Sequence, residues 1–257
     1  PRAAVAQWNA ATEDMTVWTT SQNPHPIRLL LSAFTLGIPE HKLRVISPDV
    51  GGGFGSKIFH YPEEIITPWV ARKINRPCKW VATRSESFMT DSQGRDHVSH
   101  AEMALDANGR ITGLLVQTWA DQGAYLSTFA PLIPTAFYIC LLSGLYKIPH
   151  IYGEMWGTLT NTVPVDAYRG AGRPEAAYLV ERLVDLAARE MKMDPIEFRR
   201  LNFIGKDEFP YQTPLAMLYD SGDYNKLFDE AVRVSDYQNL LAERDAARAE
   251  GRIVGIG

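Results

Sequence analysis

The segment Gly51-Gly52-Gly53-Phe54-Gly55-Ser56-Lys57 constrains this chain more than any other. Four glycines within five positions remove Cβ atoms and leave backbone N–H groups open, which suits a tight turn or the close approach of a ligand. The loop follows a short strand suggested by Leu43, Val45 and Ser47. It precedes a helix predicted over 63–74, with Pro68 near its first turn or at a kink. A glycine loop between strand and helix invites a nucleotide-phosphate reading, and the residues do not fit it. A P-loop needs glycine directly before the lysine, where Ser56 stands, and the dinucleotide fingerprint needs its last glycine at Ser56 as well. Phe54 sharpens the choice: a large ring inside such a loop either plugs a core or lies against a ligand.

Around the loop, helical and strand periods are mixed rather than strictly alternating, which predicts an α+β fold. Met15, Val17 and Thr19 alternate within 10–20 as in a strand. Pro24 and Pro26 open a helix that Gly37 closes, with Leu29, Leu30, Ala33, Phe34 and Leu36 spaced for one face. Residues 79–83 read as a strand. Residues 98–105 and 110–120 form a hairpin around the turn Asp106-Ala107-Asn108-Gly109, and 152–159 read as a further strand. The longest helix is predicted over 174–191, with Ala176, Leu179, Val180, Leu183, Val184, Ala187 and Met191 as its apolar stripe. Asp194-Pro195-Ile196-Glu197 reads as an N-cap, a first-turn proline and a capping-box glutamate. After a loop over 205–223, amphipathic helices are predicted over 224–234 and 237–250.

Composition narrows the class. Among 257 residues, 46% are hydrophobic and 22% charged, with a net charge of −4, the balance of a soluble globular protein without a nucleic-acid footprint. Two cysteines, Cys78 and Cys140, cannot form a disulfide scaffold or a four-cysteine zinc site, and they fit a reducing compartment as buried thiols. Residues 122–146 carry no charged side chain, yet glycines and prolines interrupt them well short of the ~20 apolar residues a bilayer requires. They read as a buried segment lining a core or pocket. The chain opens on Pro1 rather than methionine and closes on an apolar stretch after a turn, which points to part of a longer subunit.

Two further segments could carry chemistry. Ala167-Tyr168-Arg169-Gly170-Ala171-Gly172-Arg173-Pro174 runs directly into the longest helix. Two arginines, open backbone and a helix N-terminus together suit an anion, although a helix start with two solvated arginines explains the same residues. Thr20-Ser21-Gln22-Asn23-Pro24-His25 precedes another helix, where Gln22 could donate to a ligand oxygen and capping is an equal explanation. His97 and His100 lie in strand-like sequence without a third ligand. Glu63-Glu64 is most simply an acidic first turn.

Taken together, residues 21–25, 48–57 and 167–175, in that order, resemble the molybdenum-binding large subunit of the xanthine dehydrogenase and aldehyde oxidase family. They are most similar to the aerobic carbon monoxide dehydrogenase type. Gly123-Ala124-Tyr125, Tyr146-Lys147-Ile148-Pro149, Thr160-Asn161-Thr162 and Asp194 to Arg199 support the resemblance, which covers essentially the whole chain. It implies a first molybdopterin-binding domain over 1–205 and the start of a second over 206–257. It also implies a molybdopterin cofactor, as the cytosine dinucleotide form, whose pterin rather than the protein holds the molybdenum. By motif match, Gln22 would hydrogen-bond an oxygen on the metal, and Gly53, Phe54 and Gly55 would stand beside it. Arg169, Gly170 and Ala171 would line the cofactor.

The departures from the family pattern shape the expected substrate. The copper-dependent carbon monoxide enzymes carry a cysteine after the loop arginine, where Gly170 stands. Purine-oxidising members carry a glutamate where Ile58 stands and an arginine near Phe137, so both purine anchors are apolar here. An aldehyde or an aromatic N-heterocycle is the expected substrate class. The resemblance places the catalytic glutamate beyond this chain's C-terminus, so no catalytic residue and no turnover are expected of the chain alone. It further implies iron–sulfur and FAD subunits as partners, a homodimer of hetero-oligomers in the complete enzyme, a cytoplasmic location and no membrane span. Two alternatives stay open: a scaffold that docks partners without binding cofactor, and a phosphate-binding module built on the glycine loop.

Overall fold

The computed structural model describes residues 1–256 and has the mixed α+β architecture expected, with two main sheets and packed helices. Contacts divide the chain into two units, one of residues 1–101, 116–142 and 153–179, the other of 102–115, 143–152 and 180–257.

In the first unit, β1 (Ala3–Asn9) and β2 (Asp14–Thr19) form an antiparallel hairpin in which Ala6 faces Val17. β3 (Leu43–Ile46) adds parallel to β2, and β4 (Cys78–Val81) adds antiparallel to β1. Strand alternation turns Met15, Val17 and Thr19 inward. Met15 and Val17 pack with Ala6, Leu43, Ile27, Leu31, Leu36 and Ala71 in one buried cluster. Ile27 belongs to α1 (Pro24–Leu30) and Ala71 to α2 (Pro62–Ile74), so both helices press onto this sheet. Pro68 lies buried inside α2 rather than ending it.

The sequence period misassigns α1's face. After Leu30 the helix widens into a π-helical stretch, Leu31–Leu36, which shifts the phase of the side chains. Leu31 and Leu36 are therefore buried while Leu29 and Phe34 face outward, and Gly37 closes the element in the left-handed conformation. Strand β1 and the short α3 (Arg84–Thr90) were not evident from the residue pattern.

The hairpin of β5 (His97–Leu105) and β6 (Ile111–Asp121) joins β7 (Ile151–Thr158) in the order β5-β6-β7. The uncharged run is not buried throughout. It winds through short turns, including a π-helical one (Leu132–Ala136) and α4 (Phe137–Ile139), that bury Ile133, Tyr138 and Leu142 and expose Tyr125, Leu126, Leu132 and Phe137. Cys78 and Cys140 are free and half-buried, not fully buried thiols.

α5 (Arg173–Glu190) buries Ala176, Leu179, Val180, Val184 and Ala187 of the stripe expected of it, while Leu183 is half-buried and Met191, also half-buried, lies past the helix end. In the second unit, α6 (Pro195–Asn202) is capped by Asp194, whose carboxylate accepts from the N–H groups of Ile196 and Glu197, worth about 1 kcal/mol. Glu197 pairs with Arg200 instead of returning to the cap. Buried Asn202 accepts from the N–H of Ile111 at 2.8 Å and donates to the carbonyl of Gly109 at 3.0 Å, closing the hairpin turn. The loop after α6 contains a two-residue ribbon, β8 (Tyr211–Gln212) with β9 (Leu218–Tyr219), before α7 (Tyr224–Val234) and α8 (Tyr237–Ala249). Among the described residues, no helix is long and apolar enough to cross a membrane.

Candidate functional site

The three motif segments, scattered over 150 positions of sequence, converge within the first unit. Gln22 stands just before α1, where its N–H donates to the carbonyl of Lys57 at 3.1 Å and the Ser21 hydroxyl donates to the same oxygen at 3.2 Å. These bonds lay the start of α1 along the end of the glycine loop. The side-chain Oε1 of Gln22 then accepts from the N–H of Gly55 at 2.9 Å. A backbone donor facing the amide fixes its orientation, so Nε2 is the group left to donate outward. Gly53 is required beside it, because a Cβ there would lie 2.2 Å from that oxygen.

The glycine loop closes on itself. Lys57 turns its ammonium back onto the carbonyl of Val50 at 2.6 Å, and burial lowers its pKa while nearby Asp91 works the other way. The Tyr61 hydroxyl donates to the carbonyl of Ser56 at 2.8 Å from below. Phe54 sits in the left-handed region at φ 55°, with its ring 56% exposed. Such a conformation is costly for a bulky residue and here lifts the ring out of the core. Phe54 therefore does not plug the core.

The arginine loop meets the glycine loop at Gly55. A Cβ on Gly55 would lie 2.3 Å from the carbonyl oxygen of Ala167, so only glycine allows the loops to touch. Above this contact the Arg169 guanidinium lies 5.7 Å from the centre of the Phe54 ring, within cation–π range. Gly170, Ala171 and Gly172 all take positive φ, at 107°, 47° and 91°. This winding lets the Ala171 N–H donate to the carbonyl of Tyr168 at 2.7 Å and delivers the chain into α5. Gly172 packs against the backbone of Ile133 and Tyr138, which brings Phe137 beside this end of the site. Ile58 follows the glycine loop, and its N–H donates to the carbonyl of Gly55 at 2.9 Å.

One residue of the site gave no sequence signal. Arg95 donates to the carbonyl of Arg169 at 2.6 Å and stacks on the Tyr168 ring at 4.9 Å. Among the described residues, Arg95, Arg169 and Arg173 form no ion pair with a carboxylate. Three unneutralised guanidinium groups around a loop at a helix N-terminus make an anion-attracting surface. Gly94 could have flagged the position only in hindsight: a Cβ there would meet the Tyr168 side chain at 2.3 Å. His97 is edge-on to Tyr138, and burial lowers its pKa against the pull of Glu175 and Asp96.

A model of the molybdopterin cofactor-binding domain matches residues 1–203. The chain is 40% identical over 98% of its length to the carbon monoxide dehydrogenase large chain of Hydrogenophaga pseudoflava, covering 32% of that protein. It is 33% identical over its whole length to the nicotine 6-hydroxylase large subunit of Paenarthrobacter nicotinovorans, covering 31% of it. The chain thus spans about a third of the length of the curated relatives it matches. Among solved structures, quinoline 2-oxidoreductase from Pseudomonas putida 86 superposes on 97% of this chain with a TM-score of 0.93 at 31% identity, covering 32% of that chain. The chain belongs to the family of molybdopterin cofactor-binding domains found in the large subunits of xanthine dehydrogenase and carbon monoxide dehydrogenase type.

Proposed function

We propose that the glycine and arginine loops form one wall of a molybdopterin site in an oxidoreductase that hydroxylates an aldehyde or aromatic N-heterocycle carbon with oxygen from water. The observation that carries this reading is the meeting of Gln22, Gly55 and Ala167, which presents an outward amide donor, an exposed ring and an unpaired arginine on one surface. These groups fit an anionic, oxygen-bearing pterin cofactor. The glycine backbone admits close approach, Gln22 Nε2 can donate to an oxygen, and Arg169 with its neighbouring guanidinium groups can offset negative charge. When bound, the cofactor supplies the two-electron redox centre. The chain's own residues bind it, orient it and shield it. Gln22 would fix an oxygen by hydrogen bonding, Gly53 and Gly55 would let the backbone come close, and Phe54 would exclude water from one side. Arg169, Gly170 and Ala171 would hold its anionic groups.

The substrate class is read from Ile58 and Phe137, which the family resemblance puts at the substrate. Neither offers a hydrogen bond to a purine, so an apolar or aromatic substrate fits better than xanthine. Gly170 brings no thiol, which disfavours copper-dependent oxidation of carbon monoxide even though relatives bear that name. The base for the reaction, a cytosine dinucleotide extension of the cofactor, and partner subunits carrying iron–sulfur clusters and FAD belong to the same proposal. The test is turnover on aldehydes, quinoline-type heterocycles, xanthine and carbon monoxide, with a dye acceptor, by a large subunit of the relatives' length that carries this segment together with its co-purifying subunits; the 257 residues alone are expected to turn over none of them. From that larger subunit, turnover of the first two classes is expected. Turnover of xanthine or carbon monoxide alone contradicts the substrate reading, and a protein that holds partners but no pterin supports the scaffold alternative.

A further inference from the structure

One residue before the contact between the loops stands a carboxyl group with no evident chemical duty. Asp166 is 2% exposed. Its side chain accepts hydrogen bonds from the Ser127 hydroxyl, from the N–H of Phe129 at 3.3 Å and from the N–H of Ala167 at 2.5 Å. Its own N–H donates to the carbonyl of Gln93 at 2.8 Å, and the N–H of Gln93 donates to the carbonyl of Pro164 at 2.9 Å. Burial pushes its pKa up, and among the described residues no ion pair offsets that cost. An apolar side chain could fill the same space more cheaply. It could not hold two backbone amides, those of Phe129 and Ala167, that lie 38 positions apart.

What those amides belong to gives the carboxyl its meaning. Ala167 carries the carbonyl oxygen against which Gly55 is seated. Ser127 and Phe129 begin the turns whose continuation, Ile133 to Tyr138, receives Gly172. One buried group therefore ties down both surfaces that the arginine loop rests on, at its start and near its end. We propose that Asp166 is a positioning residue of the molybdopterin site, acting through Ala167 and the 127–129 segment to hold the arginine loop at a fixed spacing from the glycine loop. Its effect on cofactor rests on the cofactor reading above; its effect on the loops does not.

Hydrogen–deuterium exchange with mass spectrometry tests the proposal on the purified protein with its co-purifying subunits, together with pterin content after dialysis. Asp166→Asn keeps the size but turns an NH2 group toward one of the donors. It is expected to raise exchange about tenfold in residues 127–129 and 167–173, leave β1 to β4 unchanged, and lower retained pterin by about tenfold. Ser127→Ala leaves both backbone amides paired and is expected to raise exchange about threefold in the same two segments only, which keeps the test decisive should the Asp166 variant fail to fold. Unchanged exchange in both variants overturns the proposal, as does a rise spread evenly over both sheets, which marks general loosening. Local exchange without a fall in pterin overturns the link to the cofactor. A wild-type protein holding no pterin contradicts the cofactor reading, while the exchange pattern still decides the role of Asp166.

Discussion

The glycine loop and the arginine loop touch at Gly55 and Ala167, yet they are held by different kinds of neighbour. The glycine loop is closed from nearby in sequence: Lys57 bonds Val50, Tyr61 bonds Ser56, and Ile58 bonds Gly55. From afar it is reached by Ser21 and Gln22 and by the arginine loop itself. The arginine loop makes its own short turn, but what fixes its place comes from distant positions. Arg95 holds the carbonyl of Arg169 across 74 residues, Ser127 holds Asp166 across 39, and Gly172 leans on Ile133 and Tyr138. The first loop is a self-contained turn, whereas the second is a surface assembled by the tertiary fold. A ligand bridging both would therefore report on the packing of the whole first unit through one wall of its site.

Substitutions separate these two modes. Gly55→Ala strikes the shared contact, where the new methyl would overlap the Ala167 carbonyl at 2.3 Å and φ is 96°. With backbone on both sides neither loop can yield cheaply, and a loss of about 3 kcal/mol is expected by denaturant unfolding. Next comes a pH effect confined to the arginine loop. Because burial raises the Asp166 pKa, its stabilising share is fully present below the ordinary Asp value of 3.8 and is lost as pH rises through the raised value. Wild type should lose stability over that window relative to Asp166→Ala, with a slope no steeper than about 1.4 kcal/mol per pH unit for one carboxyl. Unfolding midpoints across a pH series check it, and parallel curves would show that Asp166 is not the titrating group.

Lys57→Met removes the local clasp of the glycine loop and should cost about 1 kcal/mol, read by the same denaturation. Exchange should rise within 50–57 and not in 167–173. Arg169→Ala is expected to be the mildest for the fold, below about 0.5 kcal/mol, since the side chain is exposed and forms no ion pair. It should nonetheless lower pterin retention, so stability and cofactor content diverge most at this residue.

The same contrast explains what could be read from sequence. The glycine loop, the 98–120 hairpin and the stripe of α5 rest on short-range spacing, and each lies where the pattern put it. Strand β1 escaped because its buried positions, Ala4 and Ala6, are too small to register as a hydrophobic alternation; its place is set by pairing with β2 and β4. The face of α1 departs from its sequence period because a π-helical stretch breaks that period at Leu31. Gln22 and Arg169 were visible through their motifs. Arg95 and Asp166 were not, since their partners lie 74 and 39 positions away and nothing local marks them.

The central claim is that two loops joined at Gly55 and Ala167 hold a molybdopterin, and molybdenum and pterin content per chain tests it most directly. Wild-type protein from cells supplied with molybdate should contain both in near-equal amounts. Gly53→Ala, whose methyl would lie 2.2 Å from Oε1 and 2.8 Å from Cβ of Gln22, should lose most of both in the fraction that circular dichroism shows to be folded. Equal pterin in wild type and this folded variant, or pterin in neither, would contradict the account.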